Sequence, residues 1–168
     1  TFFASGIPGV VNAVYNKSDM ILVVVDNSTT AMTGNQPHPG TGRAMMGGEA
    51  RPASIPKVLE ALGVDLLIQA DPLDHLASVS AVRKAIDAPG VRAIIFKSPC
   101  VANIKKVKVC RIDPIKCTGC KACVKLIGCP ALAVEGEKVV IEPALCNGCT
   151  LCAQICPHRA IEEANGHE

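Results

Sequence analysis

Eight of the ten cysteines in this chain of 168 residues fall into two runs whose spacing suits metal binding. The first run, in residues 117–130, reads Cys-x-x-Cys-x-x-Cys, and a Cys-Pro pair follows after five residues. The second run, in residues 146–157, has the same three cysteines, and its Cys-Pro pair follows after three residues. Thiolates at this spacing hold cubane iron–sulfur clusters. The two runs therefore predict two [4Fe–4S] clusters and the transfer of single electrons.

The fourth ligand of each predicted cluster comes from the other run. The second run has the spacing of bacterial ferredoxins, in which the cysteine before proline binds the other cluster of the pair. Gly119 and Gly148 are expected to leave space where a side chain would collide with inorganic sulfide. The expected ligands of the first cluster are Cys117, Cys120, Cys123 and Cys156. The expected ligands of the second cluster are Cys146, Cys149, Cys152 and Cys129.

Zinc sites and disulfides are the alternatives for so many cysteines. Zinc takes four ligands per ion, and two three-cysteine runs with two Cys-Pro pairs divide awkwardly into such sets. Disulfides need an oxidising compartment, and the long cysteine-poor part of the chain gives no reason to expect them. Cys100 and Cys110 lie outside both runs and are interpreted as buried free thiols. His158 is interpreted as a hydrogen-bonding neighbour of a cluster rather than a ligand.

The residues before the cysteine runs alternate between helical and strand patterns. The segment MILVVV at 20–25 is short, apolar and β-branched, which is typical of a strand buried on both faces of a parallel sheet. Ser5 and Ser54 are expected to cap helices that have a proline in the first turn. Residues 28–48 lack periodicity and predict a long loop, which in compact domains is usually functional. The predicted elements are helices 5–16, 54–62 and 73–87, strands 20–25, 64–70 and 91–97, and a strand pair near 133–134 and 139–141.

The order of these elements predicts an α/β fold in two domains. The alternating strands and helices of residues 1–105 indicate a doubly wound sheet, which binds ligands at the carboxyl ends of its strands. Residues 106–168 predict a small α+β domain like the bacterial ferredoxins. The segments CTGCKACVKLIGCPALAV and CNGCTLCAQICPHRAIEE share their cysteine pattern, which indicates two halves related by an approximate two-fold axis.

The opening TFFASGIPGVVNAVYNK, the loop DNSTTAMTGNQPHPG at 26–40 and the two cysteine runs together resemble a known family. They are similar to the C-terminal part of the large (alpha) subunit of the indolepyruvate:ferredoxin oxidoreductases, and more widely to the 2-oxoacid:ferredoxin oxidoreductases. The resemblance implies that residues 1–105 are the C-terminal part of a thiamine-diphosphate-binding domain. It also implies oxidative decarboxylation of aryl 2-oxoacids to acyl-CoA, with electrons passing through the clusters to ferredoxin.

The resemblance also implies which residues hold the cofactor. Asn27 would bind Mg²⁺ through its side-chain oxygen and Thr29 through its carbonyl. Thr33, Gly34 and Gln36 would line thiamine diphosphate. The oxygen-rich loop after a buried strand by itself suits Mg²⁺ that holds a diphosphate. In the family the magnesium motif begins with a Gly-Asp-Ser that would lie immediately before the first residue here. The chain is therefore interpreted as part of a larger subunit and is expected to be inactive alone.

The expected partners are ferredoxin, a 2-oxoacid, coenzyme A and a second, smaller subunit. Reduced thiolates indicate the cytoplasm. The alternative interpretation is a stand-alone electron-transfer module whose first hundred residues only dock it to a partner. Both interpretations are oxidoreductase functions that use iron–sulfur clusters, but only the first requires thiamine diphosphate.

The basic residues are concentrated in residues 97–125, where the only acid is Asp113. They either attract an acidic electron carrier or offset the negative charge of the clusters. Nucleic-acid binding is disfavoured because no stacking aromatics lie among the basic residues. No apolar segment reaches the length of about 18 residues that a membrane span needs, so no membrane partner is expected.

Overall fold

In the computed structural model, the buried apolar residues before position 104 and those after it form separate cores. The structure describes residues 1–104 and 108–163. Contacts divide the chain into a first unit, Thr1–Asn103, and a second unit, Ile104–Glu168. The domain boundary expected between residues 105 and 106 lies outside the described residues. A separate core in each unit is what independent domains require.

A parallel sheet of three strands lies at the centre of the first unit. In the order β1-β3-β2, its strands are β1 (Met20–Asp26), β3 (Val91–Lys97) and β2 (Leu66–Ala70). Asp26 pairs in register with Lys97, so β1 and β3 end at the same level. The loops that follow them therefore leave the sheet together at its carboxyl edge, where open α/β sheets bind ligands.

Helices cover both faces of this sheet, which confirms the predicted α/β fold. The helices are α1 (Ile7–Tyr15), α2 (Ile55–Ala61) and α3 (His75–Asp87). On one face Leu59 of α2 is fully buried with Ala93 and Ile95 of β3. On the other face Ala81 and Ala85 of α3 pack on Ile94. No helix in the described residues is long and apolar enough to cross a membrane.

The helix starts were predicted correctly at Ser54 and wrongly at Ser5. The hydroxyl oxygen of Ser54 accepts a hydrogen bond from the Lys57 N–H at 3.4 Å, as a cap of α2 should. Ser5 instead lies inside a π-helical turn, Phe2–Gly6, that leads directly into α1. Its hydroxyl donates to the Thr1 carbonyl. Because the backbone is already helical at Phe2, Ser5 comes too late to cap the helix.

The strand predicted to be buried on both faces is an edge strand. β1 pairs only with β3, and its Val23 and Val25 are 49% and 75% exposed within the described chain. The central strand is β3, whose first five residues are all buried, Arg92 among them. Arg92 is held by Asp19 and by the Gly90 carbonyl. Burial thus follows the position of a strand in the sheet, which its own composition does not determine.

The second unit combines two small antiparallel sheets with two short helices. Cys110–Ile112 (β4) pairs with Ile161–Glu163 (β7), and Leu132–Glu135 (β5) pairs with Lys138–Ile141 (β6). The β5–β6 pair confirms the predicted strand pair. The helices are α4 (Ala122–Ile127) and α5 (Leu151–Ile155), each beginning within a cysteine run. The third cysteine of each run, Cys123 or Cys152, is buried because its helix packs into the shared core.

The backbone of the two cysteine runs repeats closely. Gly119 and Gly148 have φ of 70° and 72°, and Lys121 and Thr150 have φ of 59° and 61°. Both of the latter residues directly precede a helix. A left-handed residue at each point turns the chain from the loop into the helix. The equivalent conformations agree with the internal duplication of the sequence.

Candidate metal centres and cofactor loop

Four cysteines from both runs line one cavity of the second unit. The cavity is otherwise lined largely by apolar side chains, including Val139 and Ile161. The four are Cys117, Cys120, Cys123 and Cys156. This is the set expected for the first cluster, and it includes the cysteine of the second run that precedes proline. A cavity with thiols on several sides has the donor set that a cubane cluster needs.

Backbone hydrogen bonds hold the loop that carries the first cysteines. The Cys117 N–H donates to the Asp113 carbonyl at 3.0 Å, and the Asp113 N–H donates to the Ala160 carbonyl at 2.7 Å. The Asp113 carboxylate accepts from the Ile115 N–H at 2.8 Å. That bond and the nearby Lys116 ammonium lower the pKa of Asp113. The loop is therefore attached at its start to the chain that follows Cys156.

Gly119 lies against the backbone of the β5–β6 turn. A Cβ atom at this position would come within 2.4 Å of the Glu137 carbonyl oxygen. The sequence predicted that Gly119 keeps a side chain away from inorganic sulfide. The contact that the structure contains is with protein backbone, and it fixes how closely the cysteine loop packs on the hairpin.

Two cysteines of the second run, Cys146 and Cys152, are neighbours of Cys110, which begins β4. The Cys110 backbone N–H donates to the Cys146 sulfur at 3.3 Å. Cys110 is 3% exposed and packs in the same core as Cys146 and Cys152. Cys149 lies close enough to Cys152 to affect its ionisation. Cys129, the fourth expected ligand, packs against the same buried core.

Burial keeps several of these thiols protonated in the absence of metal. It raises the pKa of Cys152 to about 12, with a further contribution from Cys110. Burial also raises the pKa values of Cys123 and of Cys110, the latter with help from Cys146. Metal ligands must be deprotonated, so a metal that binds here releases protons.

The thiols are spread out rather than gathered around one point. Among the described residues, no three or more His, Cys, Asp or Glu side chains lie close enough together to bind a single ion. A cubane cluster does not require such a group, because each of its four thiolates binds a different iron.

The five residues expected to hold thiamine diphosphate lie on one loop at the carboxyl edge of the first unit's sheet. No helix or strand interrupts residues 27–54, which confirms the predicted long loop. The Asn27 side-chain oxygen accepts from the Thr29 N–H at 3.3 Å, and the Thr29 hydroxyl donates to the Gln36 carbonyl at 3.5 Å. The Gln36 side-chain amide and the Thr33 backbone carbonyl are also hydrogen-bonded. The Gly34 N–H donates to the Ala31 carbonyl at 3.2 Å.

These bonds close residues 27–36 into a small loop. Asn27, Thr29 and Gln36 are half-buried, whereas Thr33 and Gly34 are exposed. The Asn27 carbonyl accepts from the Cys100 N–H at 3.1 Å, which ties the loop to the segment after β3. Cys100 is therefore part of the first unit and only half-buried, so its interpretation as a buried thiol is wrong.

His38 has a structural role in the long loop of residues 27–54. Its Nδ1 accepts from the Gly40 N–H at 3.1 Å, and its carbonyl accepts from the Thr41 hydroxyl at 2.8 Å. Its ring stacks on Phe3 with centroids 6.0 Å apart. The opening residues of the chain and the long loop are thus packed on each other within the first unit.

Several of the clustered basic residues are paired with acids. Lys97 lies 3.7 Å from Asp26, and Arg111 lies 3.0 Å from Glu162. Lys116 lies 3.2 Å from Asp113. Lys121 lines the first cysteine cavity, and Lys105 and Lys106 lie outside the described residues. Part of the basic stretch therefore serves local ion pairs, and Lys121 is placed to offset a negative charge in the cavity.

Comparison with known families places each of the two units in a cofactor-binding family. Residues 1–96 match the family described as thiamine pyrophosphate enzyme, C-terminal TPP binding domain. Residues 109–157 match the 4Fe-4S dicluster domain family. The first match covers more than half of the 168 residues, so the chain belongs to the thiamine pyrophosphate enzyme family.

Curated relatives narrow the similarity to one kind of oxidoreductase subunit. The chain is 40% identical to the indolepyruvate oxidoreductase subunit IorA of Archaeoglobus fulgidus, over 99% of this chain and 28% of the relative. It is 37% identical to IorA of Pyrococcus horikoshii, over 100% of this chain and 27% of the relative. It is 41% identical to IorA of Methanothermobacter marburgensis, over 96% of this chain and 26% of the relative. The chain spans about a quarter of the length of these relatives.

Proposed function

We propose that this chain forms the cluster-bearing part of an indolepyruvate-type 2-oxoacid:ferredoxin oxidoreductase. The reaction is the oxidative decarboxylation of an aryl 2-oxoacid to an acyl-CoA, and ferredoxin receives the electrons. Support comes from the family matches of both units and from relatives that carry the name indolepyruvate oxidoreductase. When bound, thiamine diphosphate supplies the electron sink for decarboxylation, and the clusters carry its electrons one at a time.

The observation that carries the proposal is the cavity with four cysteines. Cys156 lies 33 residues after Cys123 in the sequence, yet it lines the same cavity as the first three cysteines. The proposed ligands of the first cluster are these four, and those of the second are Cys146, Cys149, Cys152 and Cys129. Mostly apolar surroundings limit the access of water, which is one of the factors that set the potential of a cluster.

The proposed role of the loop 27–36 is to hold the diphosphate through Mg²⁺. Asn27 offers a side-chain oxygen and Thr29 a carbonyl oxygen, which are the ligand types that Mg²⁺ prefers. Thr33, Gly34 and Gln36 lie beside them on the same loop. The bonds within the loop fix the direction of these groups before the cofactor binds, which reduces the entropy lost on binding.

The proposed partners are ferredoxin, coenzyme A, a 2-oxoacid and a second subunit. Lys125 is exposed on α4, next to the first cysteine run, and Lys121 lines the cysteine cavity. Exposed cations beside a cluster would attract an acidic ferredoxin and accelerate its encounter. Thiolate ligands also require a reducing compartment, for which we propose the cytoplasm.

Ferredoxin reduction by the whole subunit that carries this chain, assembled with its partner subunit, tests the proposal. We expect reduction to require thiamine diphosphate, Mg²⁺ and coenzyme A, and to be faster with indolepyruvate than with pyruvate. Asn27→Ala should weaken the response to added thiamine diphosphate. Met32→Ala is the matched control, because Met32 lies on the same loop and is 99% exposed.

Two outcomes would contradict the proposal. Equal rates with and without thiamine diphosphate would favour the stand-alone electron-transfer module instead. A faster reaction with pyruvate than with indolepyruvate would overturn the aryl substrate while leaving the reaction class intact.

A further inference from the structure

Cys110 is a ninth cysteine in the second unit, outside the eight that the spacing assigns to clusters. It is the first residue of β4, and its side chain is almost fully buried at 3% exposure. The same core contains Cys146 and Cys152 of the second run. The sequence gives no hint of this neighbourhood, because Cys146 lies 36 positions after Cys110.

The backbone of Cys110 donates to a proposed ligand. Its N–H group donates to the Cys146 sulfur at 3.3 Å. β4 is held in place by its antiparallel pairing with β7, where Cys110 is opposite Glu163. The donor is therefore positioned by a strand rather than by a free loop.

The side chain of Cys110 points to the same group of sulfurs. It packs with Cys146 and Cys152 in one core, close to Thr150. Thr150 is the left-handed residue that leads into α5. Strand β4, the cysteine run and the start of α5 thus converge on one thiol.

We propose that Cys110 is a positioning residue that raises the reduction potential of the second cluster by donating a hydrogen bond from its thiol to the Cys146 ligand. The inference rests on the proposed function, because it requires a cluster at the second run. Reduction adds negative charge that is shared with the ligand sulfurs, and donors aimed at those sulfurs stabilise the reduced state. No bond is made or broken at Cys110.

Three variants of the full chain separate the donor from the volume of the side chain. Cys110→Ala removes the thiol donor. Cys110→Val also lacks a donor but fills the space, so that added water cannot explain a shift. Cys110→Ser keeps a donor of similar size. Cys100→Ala is the matched control, because Cys100 lies in the first unit.

The measurement is an anaerobic potentiometric titration of both clusters by EPR, after iron and sulfide have been counted. In Cys110→Ala and Cys110→Val we expect one midpoint to become more negative, with about a tenfold smaller equilibrium constant for reduction, or about 59 mV for one electron. That midpoint should be the one that also changes in Cys149→Ser. Cys110→Ser should stay at or above the wild-type midpoint, and Cys100→Ala should leave both midpoints unchanged.

Several outcomes would overturn the proposal. One is unchanged midpoints in Cys110→Ala and Cys110→Val, and another is an equal shift of both clusters. Loss of half the iron in Cys110→Ala alone would make Cys110 a ligand instead. If neither variant folds, a Cys110→Ser midpoint more negative than wild type would refute the role as donor. Wild-type chain without iron would instead refute the proposed function.

Discussion

Substitution of Gly119 by alanine tests how the first cysteine loop is built. Gly119 has φ of 70°, and an added Cβ would lie 2.4 Å from the Glu137 carbonyl oxygen. Real Cβ contacts do not fall below 3.0 Å, so loop and hairpin must separate by at least 0.6 Å. Glu137 leads into β6, whose Val139 is buried and lines the cysteine cavity. The shift therefore reaches the cavity wall.

The expected loss in the free energy of unfolding of Gly119→Ala has two parts. Left-handed backbone costs a residue with a Cβ about 1–2 kcal/mol. Displacing packed backbone adds roughly 1–3 kcal/mol, by analogy with overpacked cores. Gly136→Ala in the same hairpin is the matched control, because Gly136 has φ of 61° and open space around it. Gly136→Ala should therefore lose only the free energy that the left-handed backbone costs.

The assay is the urea concentration at which the anaerobically assembled chain loses its iron–sulfur absorbance. Gly119→Ala should lose absorbance at clearly lower urea than Gly136→Ala and should retain less iron in the first cluster. Equal behaviour of the two variants would refute the reasoning, because it would mean that the contact with Glu137 does not constrain the cysteine loop.

Three further predictions follow from the sites. Cys156→Ala should abolish the first cluster and leave the second, so that iron falls by about half; loss of the second cluster instead would contradict the crossed ligands, and Cys100→Ala should retain all the iron. Asn27→Ala should reduce the affinity of the complete enzyme for thiamine diphosphate by about tenfold, equivalent to ~1.4 kcal/mol, in a titration of thiamine-dependent activity; an equal loss in Met32→Ala would contradict a specific role. Metal-free chain should lose stability as the pH rises from about 9 toward 12, because the raised pKa of Cys152 favours the folded, protonated state below that range. Unchanged urea midpoints of the metal-free chain between pH 8 and pH 11 would contradict this last prediction.

Local signals made much of the structure predictable. Ser54 caps the start of α2, and Gly63, with a left-handed φ of 81°, follows the end of this helix. Both features are determined by residues that are neighbours in the sequence. Each cysteine run is likewise a local feature, because its cysteines lie only a few residues apart in the sequence. Such features can be read from the sequence because the atoms that determine them lie close together along the chain.

Long-range features could not be predicted in the same way. β4 and β7 are three residues each, too short for a pattern, and they exist because Cys110–Ile112 meets Ile161–Glu163 in space. Apolar content indicated β1 as the strand covered on both faces, but the strand order of the sheet, β1-β3-β2, places β3 in the centre. The contact of Gly119 with Glu137 and that of Cys110 with Cys146 depend on the same tertiary arrangement.

The central claim is that two interlocked cubane clusters occupy the second unit. Its most direct test is the amount of iron and acid-labile sulfide in chain assembled without oxygen, together with EPR spectra after reduction. The account predicts about eight irons and about eight sulfides per chain, with the signals of two interacting [4Fe–4S]⁺ clusters. Bound zinc in place of iron, or iron without labile sulfide, would contradict it.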